Sequence, residues 1–480
     1  SARRFLRACR TRFRSCSVCR RASRAPRRAA AACRRAPRRA AAACRRPSPR
    51  RPTTRTSSRT SSSRRTAGSW SARPRGNDAR PRVLDGRRLA RPNVETETAS
   101  RDRRARAPTG RPPRRYSVVY TDRALNHMSE PFQHVMTDLH ASLTAAYNAD
   151  HAVLLPGSGT YAMEAAARAF GVGNVVVVRN GYFSYRWTQL FQSMGKPDDQ
   201  VTVLKAAPAE GWAAGEDRGV SPPPVEDVVA TIRAKRPSMV CAPHVETSAG
   251  IILPEAYMRA IGDACAEVGA TFCLDGVASG TAWVDMKDLG VGAYITAPQK
   301  GWTGPACVGV CMLSDAAAAH AEAAPVSSFS IDLHKWRMVM GAYLDGGHMY
   351  HATMPTDAIR MFRDVVQETE RHGLAACEAA AWKLGFGVRD ALKARGFTSV
   401  AAEGVEAPGV AVVYANDDPT YAGRFKNVNL QIAAGVPLVL GEPDNYNSFR
   451  IGLFGLDKLM NVDRTVSNFE IALDAVLAKQ

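Results

Sequence analysis

Four short stretches of the sequence carry groups that could do chemistry together. Gly157, Ser158, Gly159 and Thr160 follow the apolar run AVLLP and open a stretch rich in Ala, Met and Glu. Glycines there let a backbone approach closely, and a helix N-terminus offers free N–H groups to a phosphate; a plain strand-to-helix turn reads the same way. Phe183, just past VVVVRNGY, is an aromatic at a second strand end, for a ring wall or for core packing. Asp275 ends the apolar run ATFCLD. A carboxylate there is costly unless a cation pairs with it, or it closes an Asx turn with Gly276. Lys300 ends AYITAPQ, 25 residues further on. Alone it reads as a surface lysine; at the tip of a buried strand, desolvation would make it a nucleophilic amine. Together, a glycine turn for phosphate, an aromatic ring, an Asp and a Lys are the protein's half of a pyridoxal phosphate site. The Lys forms the Schiff base and the Asp keeps the pyridinium nitrogen protonated.

The elements that must position these groups alternate. Helical spacing over 134–148 precedes the strand AVLLP, and 160–170 is helical again. Strands are expected at 175–180, 201–204, 238–244, 270–276, 293–300 and 307–313, with helices at 225–235 and 255–269 between them. Apolar strands alternating with helices predict an α/β domain built on a mainly parallel sheet flanked by helices. Ligands in such sheets sit beyond the carboxyl ends of the strands, where the four stretches fall. After His372 the texture changes to a helix, then VAVVYAND, then FRIGLFG, and a last helix, a smaller α+β domain. The expected organisation is an arm at 1–115, a large cofactor domain at 116–372 and a small C-terminal domain at 373–480.

At these residues the body resembles the class V aminotransferases of the fold-type I pyridoxal phosphate enzymes, and most of all the alanine/serine–glyoxylate aminotransferase group. The similarity runs in order through NHMSEPF, LLPGSGTYAMEAA, RNGYFSYRW, HVETSAG, LDGVAS, APQKGW, MYHATMP and FRIGLFG. It implies a transaminase that moves an amino group between a small amino acid and a 2-oxo acid such as glyoxylate or pyruvate, in ping-pong fashion. It assigns Lys300 the Schiff base and the proton shift, Asp275 the pyridinium nitrogen, Val277 a place under the cofactor ring and Phe183 the opposite face. Thr247 falls near the phenolic oxygen. Gly159, Thr160 and Gln299 would contact the phosphate, and Tyr350 and Thr353 the phosphate of a neighbouring subunit in a homodimer. Arg450 would clamp the substrate carboxylate, a task for a bidentate fork. The sequence departs from the family in lacking its opening Pro-Gly-Pro segment, and in having Phe at 183 where Trp is common. SFSIDLHKWR and the stretch around Asp418 are similar instead to 2-aminoethylphosphonate–pyruvate transaminases. That substrate would need further cations, for which Arg186, Lys335 and Arg337 are candidates. Gln299 before the lysine argues against a cysteine desulfurase, which usually has His there. His244 reads as a structural strand-end histidine.

Charge divides the chain. The whole carries +21, but residues 1–115 hold 37 Arg and five acids, or +32, and residues 116–480 come to −11. The arm, rich in Arg, Ala and Ser, lacks apolar periodicity and is expected to be disordered. Such composition suits an organelle transit peptide, or a gene-model extension; an Arg-rich arm binding nucleic acid is the reading from another class. The expected location is a mitochondrion or plastid if the arm is a transit peptide, and otherwise the cytoplasm. No run of 18 apolar residues suggests a membrane span. Eleven cysteines divide five and six between arm and body, with no second pair at zinc spacing beside Cys16–Cys19 or Cys307–Cys311, so no metal is expected.

Overall fold

The computed structural model describes residues 124–212, 219–415 and 418–478. All belong to one compact unit, Arg104–Gln480. The basic arm, with its expected disorder, lies outside the described residues.

Helix α1 (Glu130–Tyr147) has a proline in its first turn and ends at Asn148 in the left-handed region. Its buried Phe132, Val135, Met136, Leu139, Leu143 and Tyr147 recur every three or four residues, the spacing of one helix face. Strand β1 (His151–Pro156) leads into α2 (Gly159–Phe170), and β2 (Val175–Arg179) into α3 (Tyr182–Ser193). Then come β3 (Val201–Lys205), α4 (Val225–Lys235), β4 (Met239–Pro243), α5 (Glu255–Val268), β5 (Thr271–Asp275), β6 (Ala293–Thr296) and β7 (Val308–Leu313).

These seven strands form one sheet in the order β1-β7-β6-β5-β4-β2-β3. Only β7 runs against its neighbours β1 and β6; the other pairings are parallel. Every residue of β2, β4, β5, β6 and β7 is buried, which explains their mostly apolar content without strict alternation: a sheet covered on both faces has no solvent side to alternate toward. The mainly parallel α/β sheet expected from the sequence is therefore the fold.

One expected strand is too long. The run 293–300 is extended only to Thr296; Pro298, Gln299 and Lys300 form a turn, with Gly304 N donating to the Pro298 carbonyl at 2.8 Å. Proline has no N–H for a ladder, so the chain leaves the sheet before the lysine. Lys300 stands on a turn beyond the strand, not on its tip.

Helices α6 (Asp315–Ala323), α7 (Leu333–Leu344) and α8 (Thr356–His372) follow. Gly373, at φ 101°, joins α8 to α9 (Leu374–Lys393). The remaining chain adds a three-stranded sheet of β8 (Val410–Tyr414), β9 (Ala433–Ala434) and β10 (Ser448–Gly452), in the order β8-β10-β9, and the last helix α10 (Val462–Leu477). Residues before 373 build one core and residues after it another. A third cluster mixes Val245, Ile251 and Ala278 with Val400, Val412 and Leu438. Among the described residues no helix is long and apolar enough to cross a membrane, and no group of acids, His and Cys could hold a metal ion.

The end of β5 is packed without slack. A Cβ on Gly276 would lie 2.0 Å from the ring of Tyr294, which is fully buried and 4.8 Å from the Tyr147 ring. Gly276→Ala is expected to cost about 3 kcal/mol, since a buried ring cannot yield without displacing its neighbours. The midpoint of urea unfolding measures it.

Candidate active site

The carboxyl ends of the parallel strands share one edge of the sheet, and the groups singled out in the sequence follow them. A cavity of about 470 Å³ opens there, lined by Gly159, Thr160, Phe183, Thr247, Asp275, Val277, Gln299, Lys300 and Arg450 among others. Nine of the eleven expected site residues are thus brought together. Tyr350 and Thr353 are not: they sit exposed on the surface, hydrogen-bonded to each other at 3.2 Å.

The glycine turn after β1 is shaped by contact. Gly157 is at φ 132°, and a Cβ there would meet the Tyr161 ring at 2.8 Å. A Cβ on Gly159 would lie 2.7 Å from Val277 Cγ2, so the backbone at the start of α2 is pressed onto the loop after β5. Ser158 makes no side-chain cap, and the first N–H groups of this helix are left for a ligand. Thr160 Oγ1 accepts a hydrogen bond from Arg186 Nη1 at 3.0 Å.

Asp275 is 8% exposed, and its carboxylate accepts one backbone hydrogen bond, from Val277 N at 3.0 Å. The Asx turn weighed in the sequence analysis forms, though with Val277 as donor. Among the described residues no cation pairs with Asp275. Burial, with the charge of Glu246 adding to it, raises its pKa from 3.8 to about 6, against the pull of the Val277 N–H and of Arg186. Lys300 Nζ lies 5.5 Å from the Phe454 ring centroid. Burial lowers the pKa of its amine and Arg450 lowers it further, so more of it is neutral than of a solvated lysine. Arg450, on β10 opposite Val412 and Ala433, donates from Nε to the Ala434 carbonyl at 3.1 Å. Its guanidinium and that of Arg186 each lie 5.7 Å from the Phe183 ring centroid.

Of the other candidate cations, Arg337 pairs with Glu322 and Lys335 contacts Met338, both by way of α7, and neither lines the cavity. His244 is buried, with Nδ1 2.7 Å from Ser279 Oγ, and burial lowers its pKa to about 4; it too is outside the lining. Sequence reasoning passed over Phe454, Met163 and Ala278 in the wall, and Glu246 behind it. Phe454 stood in a quoted motif, FRIGLFG, but an aromatic there gives no local sign of facing a lysine.

No family model matches the chain. The 2-aminoethylphosphonate–pyruvate transaminase of Paraburkholderia phymatum is 26% identical over 339 residues, covering 70% of this chain and 84% of the relative. Alanine–glyoxylate aminotransferase 1 of Saccharomyces cerevisiae is 26% identical over 341 residues, covering 68% and 83%. Among solved structures, the alanine–glyoxylate aminotransferase of Nostoc superposes with a TM-score of 0.61 at 22% identity, over 73% of this chain and 89% of that one. The chain is a homologue of the class V aminotransferases of fold type I. Pyridoxamine–pyruvate aminotransferase of Mesorhizobium loti shares the fold at a TM-score of 0.59 and 17% identity, over 74% and 92%. The homologues belong to a family that uses pyridoxal phosphate.

The Asp275 carboxylate, buried without an ion-pair partner among the described residues, generates a stability test. Its folded pKa, about 6, is above the 3.8 of the free group. Between those values the folded state holds a proton that the unfolded state has lost, so stability falls as pH rises through the window and the deficit is complete above it. At 1.36 kcal/mol per pH unit the deficit is about 3 kcal/mol. Asp275→Asn should therefore stabilise the cofactor-free protein at pH 7.5, and the gain should shrink as the pH falls from 6 to 4. Urea titrations across that range check both sign and window.

Proposed function

We propose that the chain is a pyridoxal phosphate-dependent aminotransferase that moves an amino group between a small amino acid, of the alanine or serine type, and a 2-oxo acid such as glyoxylate or pyruvate. The observation that carries this reading is the convergence of the Lys300 amine, the unpaired Asp275 carboxylate and the Arg450 guanidinium on one cavity.

The residues present fit the cofactor. Asp275 is buried without a cation, and a pyridinium nitrogen is a cation of the right kind. The uncapped start of α2 suits a phosphate, with Gly159, Thr160 and Gln299 to hold it. Val277 and Phe183 would take the two ring faces and Thr247 the phenolic oxygen. When bound, pyridoxal phosphate supplies a carbonyl for the amine and an electron sink for the substrate α-carbon. Lys300 Nζ, its pKa lowered by burial, is the base that takes the α-proton of the amino donor and returns it on the other side of the transfer. Arg450 grips the donor carboxylate through two N–H groups, and Asp275 keeps its negative charge against the ring nitrogen. The same groups serve the second half-reaction, in which a keto acid takes the amino group.

A second reading has its own observation. Arg186 lines the cavity as Arg450 does, and a phosphonate needs more positive charge than a carboxylate does. The Paraburkholderia phymatum relative is named a 2-aminoethylphosphonate–pyruvate transaminase, and aminoethylphosphonate is the donor this reading gives the chain. We further infer a homodimer in which Tyr350 and Thr353 of each chain serve the other's cofactor phosphate, a division into a large domain at 116–372 and a small one at 373–480, and an arm at 1–115 that is either a transit peptide for a mitochondrion or plastid or a gene-model extension of a cytoplasmic protein. N-terminal sequencing of the mature protein tests the arm.

Three outcomes are expected. Purified protein given pyridoxal phosphate should show a visible absorption band that shifts on adding the amino donor. Lys300→Ala should lose transamination by at least about four orders of magnitude, as removal of a combined base and nucleophile does; full activity in that variant would sink the assignment. In a screen of alanine, serine, aspartate and aminoethylphosphonate with pyruvate and glyoxylate, alanine or serine should give the highest kcat/KM. A preference for aminoethylphosphonate would establish the second reading.

A further inference from the structure

Glu246 lies in HVETSAG between two residues that line the cavity, Val245 and Thr247, yet is absent from the lining itself. It is fully buried. A carboxylate with no access to water is expected to be protonated or matched by donors, and here the donors are many. Oε1 accepts from Phe183 N at 3.2 Å, from Ser248 N at 3.0 Å and from Ser248 Oγ at 2.7 Å. Oε2 accepts from Ser184 N at 2.8 Å and from Ser184 Oγ at 2.7 Å. Phe183 and Ser184 belong to the first turn of α3, whose free N–H groups and dipole favour an anion.

The carboxylate thus ties two segments that are far apart in sequence. One is the start of α3, which carries Phe183; the other is the turn after β4, which carries Thr247. Their contact is dry and close. Tyr182 N donates to Ser248 Oγ at 2.9 Å. A Cβ on Gly181 would lie 2.2 Å from that oxygen and 2.8 Å from Glu246 Cγ. Ser184 and Ser248 are both fully buried. The charge of Glu246 also reaches beyond these bonds, attracting the Arg450 guanidinium and repelling the Asp275 carboxylate.

We propose that Glu246 is the positioning residue of the cavity: a buried anion that fixes the Phe183 ring and the Thr247 hydroxyl relative to each other, without touching cofactor or substrate. This rests on the reading of the cavity as a pyridoxal phosphate site. Glu246→Gln keeps the shape, removes the charge, and turns one acceptor into a donor that faces other donors. The phenylalanine turn and the threonine turn then lose their common anchor.

The test compares wild type, Glu246→Gln and the double variant Ser184→Ala/Ser248→Ala, each saturated with pyridoxal phosphate and held well below its melting midpoint. Visible circular dichroism per bound cofactor reports how the ring is held, and kcat per occupied site reports its use. Expected for Glu246→Gln is an altered dichroic band and a kcat lower by about tenfold or more, the scale of cost for a misplaced reacting group. The double variant removes two donors but leaves the charge, and should change both readouts in the same direction by less. It also serves if Glu246→Gln does not fold. A lowered melting midpoint with wild-type dichroism and wild-type kcat at full occupancy, in either variant that folds, would overturn the proposal. If wild type itself takes up no pyridoxal phosphate, the reading of the cavity fails first and this inference falls with it.

Discussion

Asp275 closes the central strand of the sheet with its carboxylate out of water and without a cation beside it. Ionising such a group costs free energy, and among the described residues no lysine or arginine pairs with it, although the charge of Arg186 offsets part of the cost. The fold supplies one backbone N–H, from Val277. Around this carboxylate the packing is close: Gly276 has no room for a methyl group against Tyr294, and Gly159 has none against Val277. A negative charge without an ion-pair partner, held between tightly packed turns at the wall of a cavity, suits a ligand that brings the positive charge with it. The cavity walls can be understood as what must surround that one group.

Chain direction explains how the walls assemble. Parallel strands joined by helices deliver all their carboxyl ends to one edge, so the turns after β1, β2, β4, β5 and β6 meet although they are distant in sequence. The reversed strand β7 helps seat the first of them. A Cβ on Gly309, within β7, would meet the Ser158 carbonyl at 2.3 Å, and the glycine lets the strand pass directly under the start of α2. Arg450 comes from a different sheet, the three-stranded one, and crosses toward the cavity with its Nε held by the Ala434 carbonyl. Arg450 and Lys300 thus stand on separate supports, one on the three-stranded sheet and one on the turn after β6.

Much of this is legible in the sequence. Asp275 and Lys300 stood out because each ends an apolar run in which a charge is out of place, and the α/β alternation was plain in runs such as VVVV. What could not be read locally depended on contacts between distant segments. Nothing in HVETSAG marks its glutamate as buried: in sequence it is one acid among 44, and its five donors come from α3 and from a serine two residues on. Arg186 could be named as a cation but not placed against Thr160. Apolar content alone extends the strand through Lys300, but Pro298, with no N–H, ends the ladder before it. Tyr350 and Thr353 carry a motif's promise, yet lie on the surface of the chain, away from the cavity.

The mixed core cluster has a consequence for how such a chain can be divided. Gly373 looks like a natural seam, a single residue between two helices with a core on either side. Yet the third cluster draws on both sides of it. A fragment ending at His372 would turn Val245, Ile251 and Ala278 out to water, and the complementary piece would do the same with Val400, Val412 and Leu438. The two parts are therefore not interchangeable modules. A gene fusion or a split-protein design that cuts at the seam inherits two sticky faces, and a recombined chain works only if both halves of that buried patch travel together.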